Sequence, residues 1–176
     1  MKDYLLSVFS KNVILTLMMM VTPLSLPQLA RAEMQLSQFE TDSYEKIIKQ
    51  YQGGAFLLVL WSVDCPPCID ELPALGRFHQ QHPKVNLVMV STDSNNQQAD
   101  IRQLMDKHGL TDIQQWVFAG DSAQAIRFAI DPLWYGELPR SYFHYEDDKR
   151  QAKTGKLDED TLLAWLRAIN NTTAGL

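Results

Sequence analysis

The chain holds its only two cysteines three positions apart, as Cys65-Pro66-Pro67-Cys68, just beyond an unbroken apolar run, Ala55-Phe56-Leu57-Leu58-Val59-Leu60-Trp61. A run of that length, introduced by Gly53-Gly54 and showing no alternation, reads as a strand buried on both faces and so as part of a parallel sheet. Beyond Cys68, Ile69, Leu72, Leu75, Phe78 and His79 recur at helical spacing and predict a helix from about 66 to 81. Two thiols at such a helix start sit within reach of one short disulfide ring. The unpaired backbone N–H groups and the positive end of the helix dipole favour a thiolate on the first of them. Cys65 is then the expected nucleophile and Cys68 the resolving thiol. Pro66 and Pro67 have no N–H to lose in a first turn and preset φ for one, which stiffens the loop.

Two other readings of the cysteine pair stand beside the redox one. His79 and His82 follow at spacings loosely like a zinc pattern. One continuous helix would carry His79 roughly 16 Å along the axis from Cys68, too far for a shared tetrahedron. A purely structural disulfide would usually close a longer loop.

The segment Trp61-Ser62-Val63-Asp64-Cys65-Pro66-Pro67-Cys68-Ile69-Asp70-Glu71-Leu72-Pro73 resembles the thioredoxin superfamily, whose active-site helix carries a proline where Pro73 stands. More narrowly it resembles the TlpA/ResA branch of periplasmic thiol–disulfide oxidoreductases, with Glu71 on that branch's active-site glutamate. Asp64 replaces the branch's usual second tryptophan, and Val59 stands where thioredoxin has a buried aspartate. The resemblance therefore leaves proton transfer to Cys68 with Glu71, about one turn further along the same helix face. Without the cysteines beside it, Glu71 would read as a solvated helix residue.

The rest of the chain fits an α/β domain of thioredoxin-like fold: a central mixed sheet flanked by helices. Residues 33–40 read as a strand entry, and Tyr44, Ile47, Ile48 and Tyr51 as an amphipathic helix closed by Gly53-Gly54. Strands are expected at 85–91 and 115–119, with helices at 97–108 and 121–129, the latter capped by Asp121. The strand-helix-strand at 85–119 matches the central insertion of the TlpA-like branch, as the resemblance implies. No N-terminal hairpin is evident. An antiparallel pair at 141–145 and 150–154 and a closing helix at 158–169 complete the order.

Pro139 enters the first of those late strands, a position a strand tolerates. In the superfamily this part resembles, that proline is cis and faces the cysteines, and the residue before it offers backbone groups to substrate. The resemblance implies these places for Pro139 and Leu138. Arg140, where threonine is usual, is free to pair with Glu71 or Glu137 or to face solvent. Trp134 and Tyr135, just upstream, are read either as packing or as an apolar lip gripping a client. With Pro66 and Leu138 they make the candidate substrate contacts.

Lys2 and Lys11, the apolar stretch Val13 to Val21, Pro23, Pro27 and an Ala30-Arg31-Ala32 end have the parts of a secretory signal. The expected organisation is a cleavable leader at 1–32 and one domain at 33–176. The apolar stretch is short of the ~20 residues of a membrane span, although a retained leader would act as an anchor. Removing three basic and one acidic residue with the leader takes 16 and 21 charged residues to 13 and 20, a net charge of −7. No basic stripe remains for nucleic acid. In an oxidising compartment a dithiol stays reduced only if a membrane or periplasmic electron donor feeds it.

The function expected from all this is an exported thiol–disulfide oxidoreductase, reducing disulfide-bearing protein clients with no cofactor beyond the Cys65–Cys68 pair. Asp64, Asp70 and Glu71 place negative charge around the dithiol, which works against a strongly oxidising couple. The alternatives are a copper(I)-holding metallochaperone using both thiolates as soft ligands, and a non-catalytic adaptor in which the cysteine motif is incidental.

Overall fold

The computed structural model describes residues 34–120, 122–146 and 149–173. The expected leader and the expected cap Asp121 lie outside them. Six strands, β1 (Leu36–Phe39), β2 (Phe56–Trp61), β3 (Asn86–Ser91), β4 (Gln114–Phe118), β5 (Arg140–His144) and β6 (Arg150–Thr154), form one sheet in the order β1-β4-β3-β2-β5-β6. The first four run parallel to one another. β5 is antiparallel to β2, and β6 to β5. The helices are α1 (Ser43–Gln50), α2 (Pro66–Gln81), α3 (Gln98–Lys107), α4 (Ala123–Ile130) and α5 (Glu159–Thr173), with a 3₁₀ turn at Asn95–Gln97 leading into α3.

The period of two along β2 separates the molecule into layers. Leu57, Val59 and Trp61 point to one face, where they meet Cys68, Leu72 and Leu75 of α2, Ile101 and Met105 of α3, and Leu162 and Trp165 of α5. Phe56, Leu58 and Leu60 point to the other, against Tyr44 and Ile47 of α1 and Ile126 and Ile130 of α4. All six residues of β2 are buried, as its unbroken apolar run required. β1 extends the sheet as a single parallel strand on β4, and α3 with β4 forms the insertion between β3 and α4.

Two local details depart from the sequence reading. α4 is capped by Ser122, whose hydroxyl accepts from Ala125 N–H at 3.1 Å. The helix expected from 97 begins as the 3₁₀ turn and ends before Gly109, whose φ of 69° provides the left-handed turn away from it. Pro73 lies inside α2 without ending it, and its missing N–H falls on an exposed position. A glycine at 76 allows α2 to approach the end of α3: a Cβ there would lie 2.1 Å from the His108 carbonyl oxygen.

Candidate redox site

Cys65 is the N-cap residue of α2, in extended conformation, with Pro66 and Pro67 opening the helix. Its carbonyl accepts from the Cys68 and Ile69 N–H groups at 3.0 and 3.1 Å, and its sulfur accepts from Cys68 N–H at 3.3 Å. The first turn is therefore built on Cys65 itself, and its sulfur lies where the helix presents free donors. Cys65 and Cys68 are joined as a disulfide. Their burial differs: Cys68 is wholly buried, Cys65 only half, and Pro66 and Pro67 are exposed.

Glu71 corrects the sequence reading. It is 1% exposed, beneath the face that carries Cys68. Its Oε2 accepts from Leu157 N–H at 2.8 Å, while Oε1 is buried without a partner. Burial pushes the carboxyl up to about 7, against the opposing Leu157 N–H and the charges of Lys156 and Lys153. Glu71 is thus only partly ionised near neutral pH, which weakens one of the three charges expected around the dithiol. Asp70 is exposed, and Asp64 accepts from Gln97 Nε2 at 3.0 Å.

The Leu138-Pro139 peptide bond is cis. Leu138, like Cys65, packs against the apolar cluster that contains Cys68, and the Pro139 carbonyl accepts from Gly155 N–H at 2.8 Å. Arg140 pairs with neither Glu71 nor Glu137. Its guanidinium reaches Asp131 Oδ2 at 3.0 Å and Thr154 Oγ1 at 2.6 Å. Asp131 also accepts from the Tyr142 hydroxyl and from Leu133 N–H, both at 3.0 Å. Burial pushes its carboxyl up, but the Leu133 N–H, Tyr142, Arg140 and the charge of Arg150 outweigh that and hold it below its usual value. Asp131 and Arg140 so bracket the loop carrying Leu138 and Pro139.

Trp134 and Tyr135 part company. Trp134 is 3% exposed in the α1/α4 core, its Nε1–H donating to the Glu137 carbonyl at 2.9 Å, so it packs and offers no lip. Tyr135 is 81% exposed. His79, one of the two histidines of the zinc reading, is engaged with Asp112 at 3.0 Å.

Sequence reasoning missed Asp93 and Asp131, the two buried carboxylates that hold the loops on either side of the site. Their positions were visible, one just past a buried strand and the other just past a helix, but Asp93 reaches Ser62 and Val63 across 31 and 30 positions, and Asp131 reaches Arg140 and Tyr142 only once the intervening loop folds back. A hollow of about 550 Å³ is lined by Tyr44, Phe56 and His144 at the opposite end of β2 from the cysteines. A shallower one of about 410 Å³ lies beside Pro66, between Val63, Asp64, Ile69 and Asp70. The residues of the second hollow flank the cysteine pair in sequence, although neither cysteine lines it.

The chain matches the AhpC/TSA family over residues 27–131, a span that includes both cysteines and Glu71 but stops short of Pro139. It is 25% identical over 76 residues to the thiol-disulfide oxidoreductase ResA of Halalkalibacterium halodurans, a match covering 43% of this chain and 42% of that protein. The chain thus matches about two fifths of the length of that relative. Among solved structures it is similar to StoA from Bacillus subtilis, at 27% identity and a TM-score of 0.50 over 65% of this chain and 84% of that one. A secreted Mycobacterium tuberculosis disulfide oxidoreductase homologous to E. coli DsbE shares the fold, with a TM-score of 0.56 and 20% identity over 68% and 85% of the two chains. With a mixed six-stranded sheet, a Cys-x-x-Cys helix start and this family match, the chain belongs to the AhpC/TSA family, as a TlpA/ResA-like protein of thioredoxin fold.

Proposed function

We propose that the protein is an exported thiol–disulfide oxidoreductase that reduces disulfides of protein clients. The observation that carries this reading is the unequal burial of Cys65 and Cys68 at one helix start, since it gives an accessible sulfur and a withheld one. In the reduced protein the Cys65 thiolate attacks a client disulfide. A Cys65–client bond forms, the client S–S bond breaks, and one client sulfur leaves as a thiolate. Cys68 then gives its proton to the Glu71 carboxylate and attacks Cys65 Sγ. The Cys65–Cys68 bond forms and the second client sulfur is released. Two electrons have passed to the client, and a dithiol donor at the membrane or in the periplasm must return two. The reaction needs no cofactor beyond the cysteine pair.

A carboxyl titrating near 7 suits the proton step, because it both accepts and returns a proton near neutral pH. Leu138 and Pro139 are assigned to hold the client segment against the cysteines, with Pro66 and exposed Tyr135 at the edges of that surface. Among the described residues no helix is long and apolar enough to cross a membrane, and export would rest on the leader.

The test is trapping. Cys68→Ala leaves the attacking sulfur with nothing to release its partner, so mixed disulfides should accumulate on non-reducing gels, while Cys65→Ala traps far less. Equal trapping by both variants, or none by either, would overturn the reading; bound copper in the purified protein would favour the metal-holding alternative.

A further inference from the structure

We infer that Asp93 is the positioning residue of the redox site, fixing the loop that delivers Cys65 and thereby the ease with which the Cys65–Cys68 ring closes. This rests on the reading of that pair as a redox couple.

Asp93 lies two residues past β3 and is 7% exposed. Its Oδ1 accepts from the Ser62 hydroxyl at 2.6 Å. Its Oδ2 accepts from Val63 N–H at 3.0 Å and from the Ser91 hydroxyl at 2.6 Å. The two serines also accept: Asp64 N–H donates to Ser62 Oγ and Asp93 N–H to Ser91 Oγ, each at 3.0 Å. Three consecutive residues, 62 to 64, are thereby tied to one carboxylate, directly or through Ser62. The next residue is Cys65, whose own N–H donates to the Ser62 carbonyl at 3.3 Å.

The chemistry of this cluster calls for an acceptor-only group. Two hydroxyls and one backbone N–H donate to Asp93; an amide in its place offers only one accepting atom, so a hydroxyl facing its NH₂ must turn to accept and leave its own proton unpaired. Buried, such an unsatisfied contact costs more than the bond was worth, and the loop would yield instead. A loosened loop lets Cys65 wander from the position in which its sulfur meets Cys68, so ring closure loses effective concentration. Loss of the carboxylate charge acts in the same direction, since it favours the thiolate of the reduced form. Both effects make the disulfide easier to reduce.

The experiment equilibrates wild type, Asp93→Asn, Ser62→Ala and the double variant with glutathione redox buffers and reads the fraction of Cys65–Cys68 disulfide, beside circular dichroism of each. Asp93→Asn should lower the equilibrium constant for disulfide formation about tenfold, the value of one lost hydrogen bond, with the fold retained. Ser62→Ala should lower it in the same sense by a smaller factor, and the double variant should fall short of the product of the two. If Asp93→Asn fails to fold, Ser62→Ala carries the test alone. An unchanged equilibrium constant in a folded variant, or effects that multiply independently, would overturn the inference. No client enters this measurement, so a failure of mixed-disulfide trapping would sink the proposed function without touching it.

Discussion

Leu157 N–H donates to Glu71 Oε2 at 2.8 Å, joining the active-site helix to the turn before the last helix across 86 positions of sequence. The bond supplies one donor to a carboxyl that burial otherwise strips of water, and it leaves Oε1 with none. The neutral acid is the form this pocket suits, which is why the carboxyl titrates near 7 in place of its ordinary 4.5. The groups that favour the Glu71 anion against its burial are thus the Leu157 N–H of the β6–α5 turn and the charges of Lys156 and Lys153.

Glu71→Gln should therefore stabilise the oxidised protein at alkaline pH. The folded state takes up its proton at higher pH than the unfolded chain does, so Glu71's contribution is fully present below 4.5 and is lost as pH rises through about 7. Removing the ionisation recovers at most about 3 kcal/mol above pH 8 and nothing below pH 4.5. Urea unfolding at pH 4.5, 6 and 8 reads the difference. A variant equally or less stable at pH 8 would mean that Glu71 is not held near-neutral by burial.

The same substitution separates stability from chemistry. With no carboxylate to accept the Cys68 proton, the rate of client-disulfide reduction should drop by roughly 10²-fold, the order of a general-base contribution. Its inflection near pH 7 should vanish. Stopped-flow turnover from pH 5 to 9 checks this, and a retained inflection would assign the proton step elsewhere.

His144 tilts stability the other way. Its ring stacks on Phe56 at 4.0 Å and its Nε2 meets the Tyr44 hydroxyl at 3.2 Å. Burial, with the charge of Arg150, lowers its titration from 6.5 to about 4. Here the unfolded chain binds the proton first, so stability is full above 6.5 and lost as pH falls towards 4, by at most about 3 kcal/mol. Between pH 4.5 and 6.5 the two groups oppose each other. His144→Phe should leave a protein that gains stability on mild acidification, whereas Glu71→Gln should lose it. Parallel pH profiles for the two variants would contradict the opposed signs.

How far the sequence disclosed this site follows from the range of the interactions. The redox pair, its strand and its helix were legible because each depends on neighbours within about one turn or one strand, whereas the place of the proline before β5 came from the resemblance and the order of elements. The buried run at 55–61 and the α2 periodicity placed those elements within a residue of their bounds. What stayed hidden was set by pairing across the fold. Glu71 was placed beside Cys68 by the resemblance, but its burial was not legible, because nothing within its own helix reveals the Leu157 N–H that meets it from 86 positions on. Arg140 was open to Glu71, Glu137 or solvent, and its actual partner Asp131 is reached only once the loop folds back. Trp134 had two local readings, and only the α1 and α4 layer decided for packing.

Gly76 tests the packing that holds α2 in place. Any side chain there meets the His108 backbone oxygen at 2.1 Å, and backbone cannot swing aside as a flexible side chain would. Gly76→Ala gains about 1 kcal/mol in helix propensity but must separate α2 from the end of α3, a strain typically of 1–3 kcal/mol or more at close-packed sites. The net effect should be destabilising, read as a lower midpoint in urea. A stabilised variant would show that the α2–α3 contact has slack.

Asp131 offers the sharpest test of the loop that presents Leu138 and Pro139. Its side chain is 9% exposed and that of its partner Arg140 16%, so both charges sit largely out of water. Arg150 lies further off, at 3.9 Å, and the Tyr142 hydroxyl is pushed up to about 12, so it stays a donor at ordinary pH. Removing the carboxylate leaves Arg140 buried without its counter-charge and Tyr142 without its acceptor, a loss of about 3–5 kcal/mol by comparison with other broken buried pairs. Asp131→Ala should show that loss in urea unfolding. Arg140→Gln alone should cost less, because Arg150 and Tyr142 still face the carboxylate. If the pair is a unit, the double variant falls short of the sum of the singles by 1 kcal/mol or more. Additive losses would mean that Asp131 and Arg140 contribute separately, and that the loop between them is held by its apolar packing at Trp134 and Leu138.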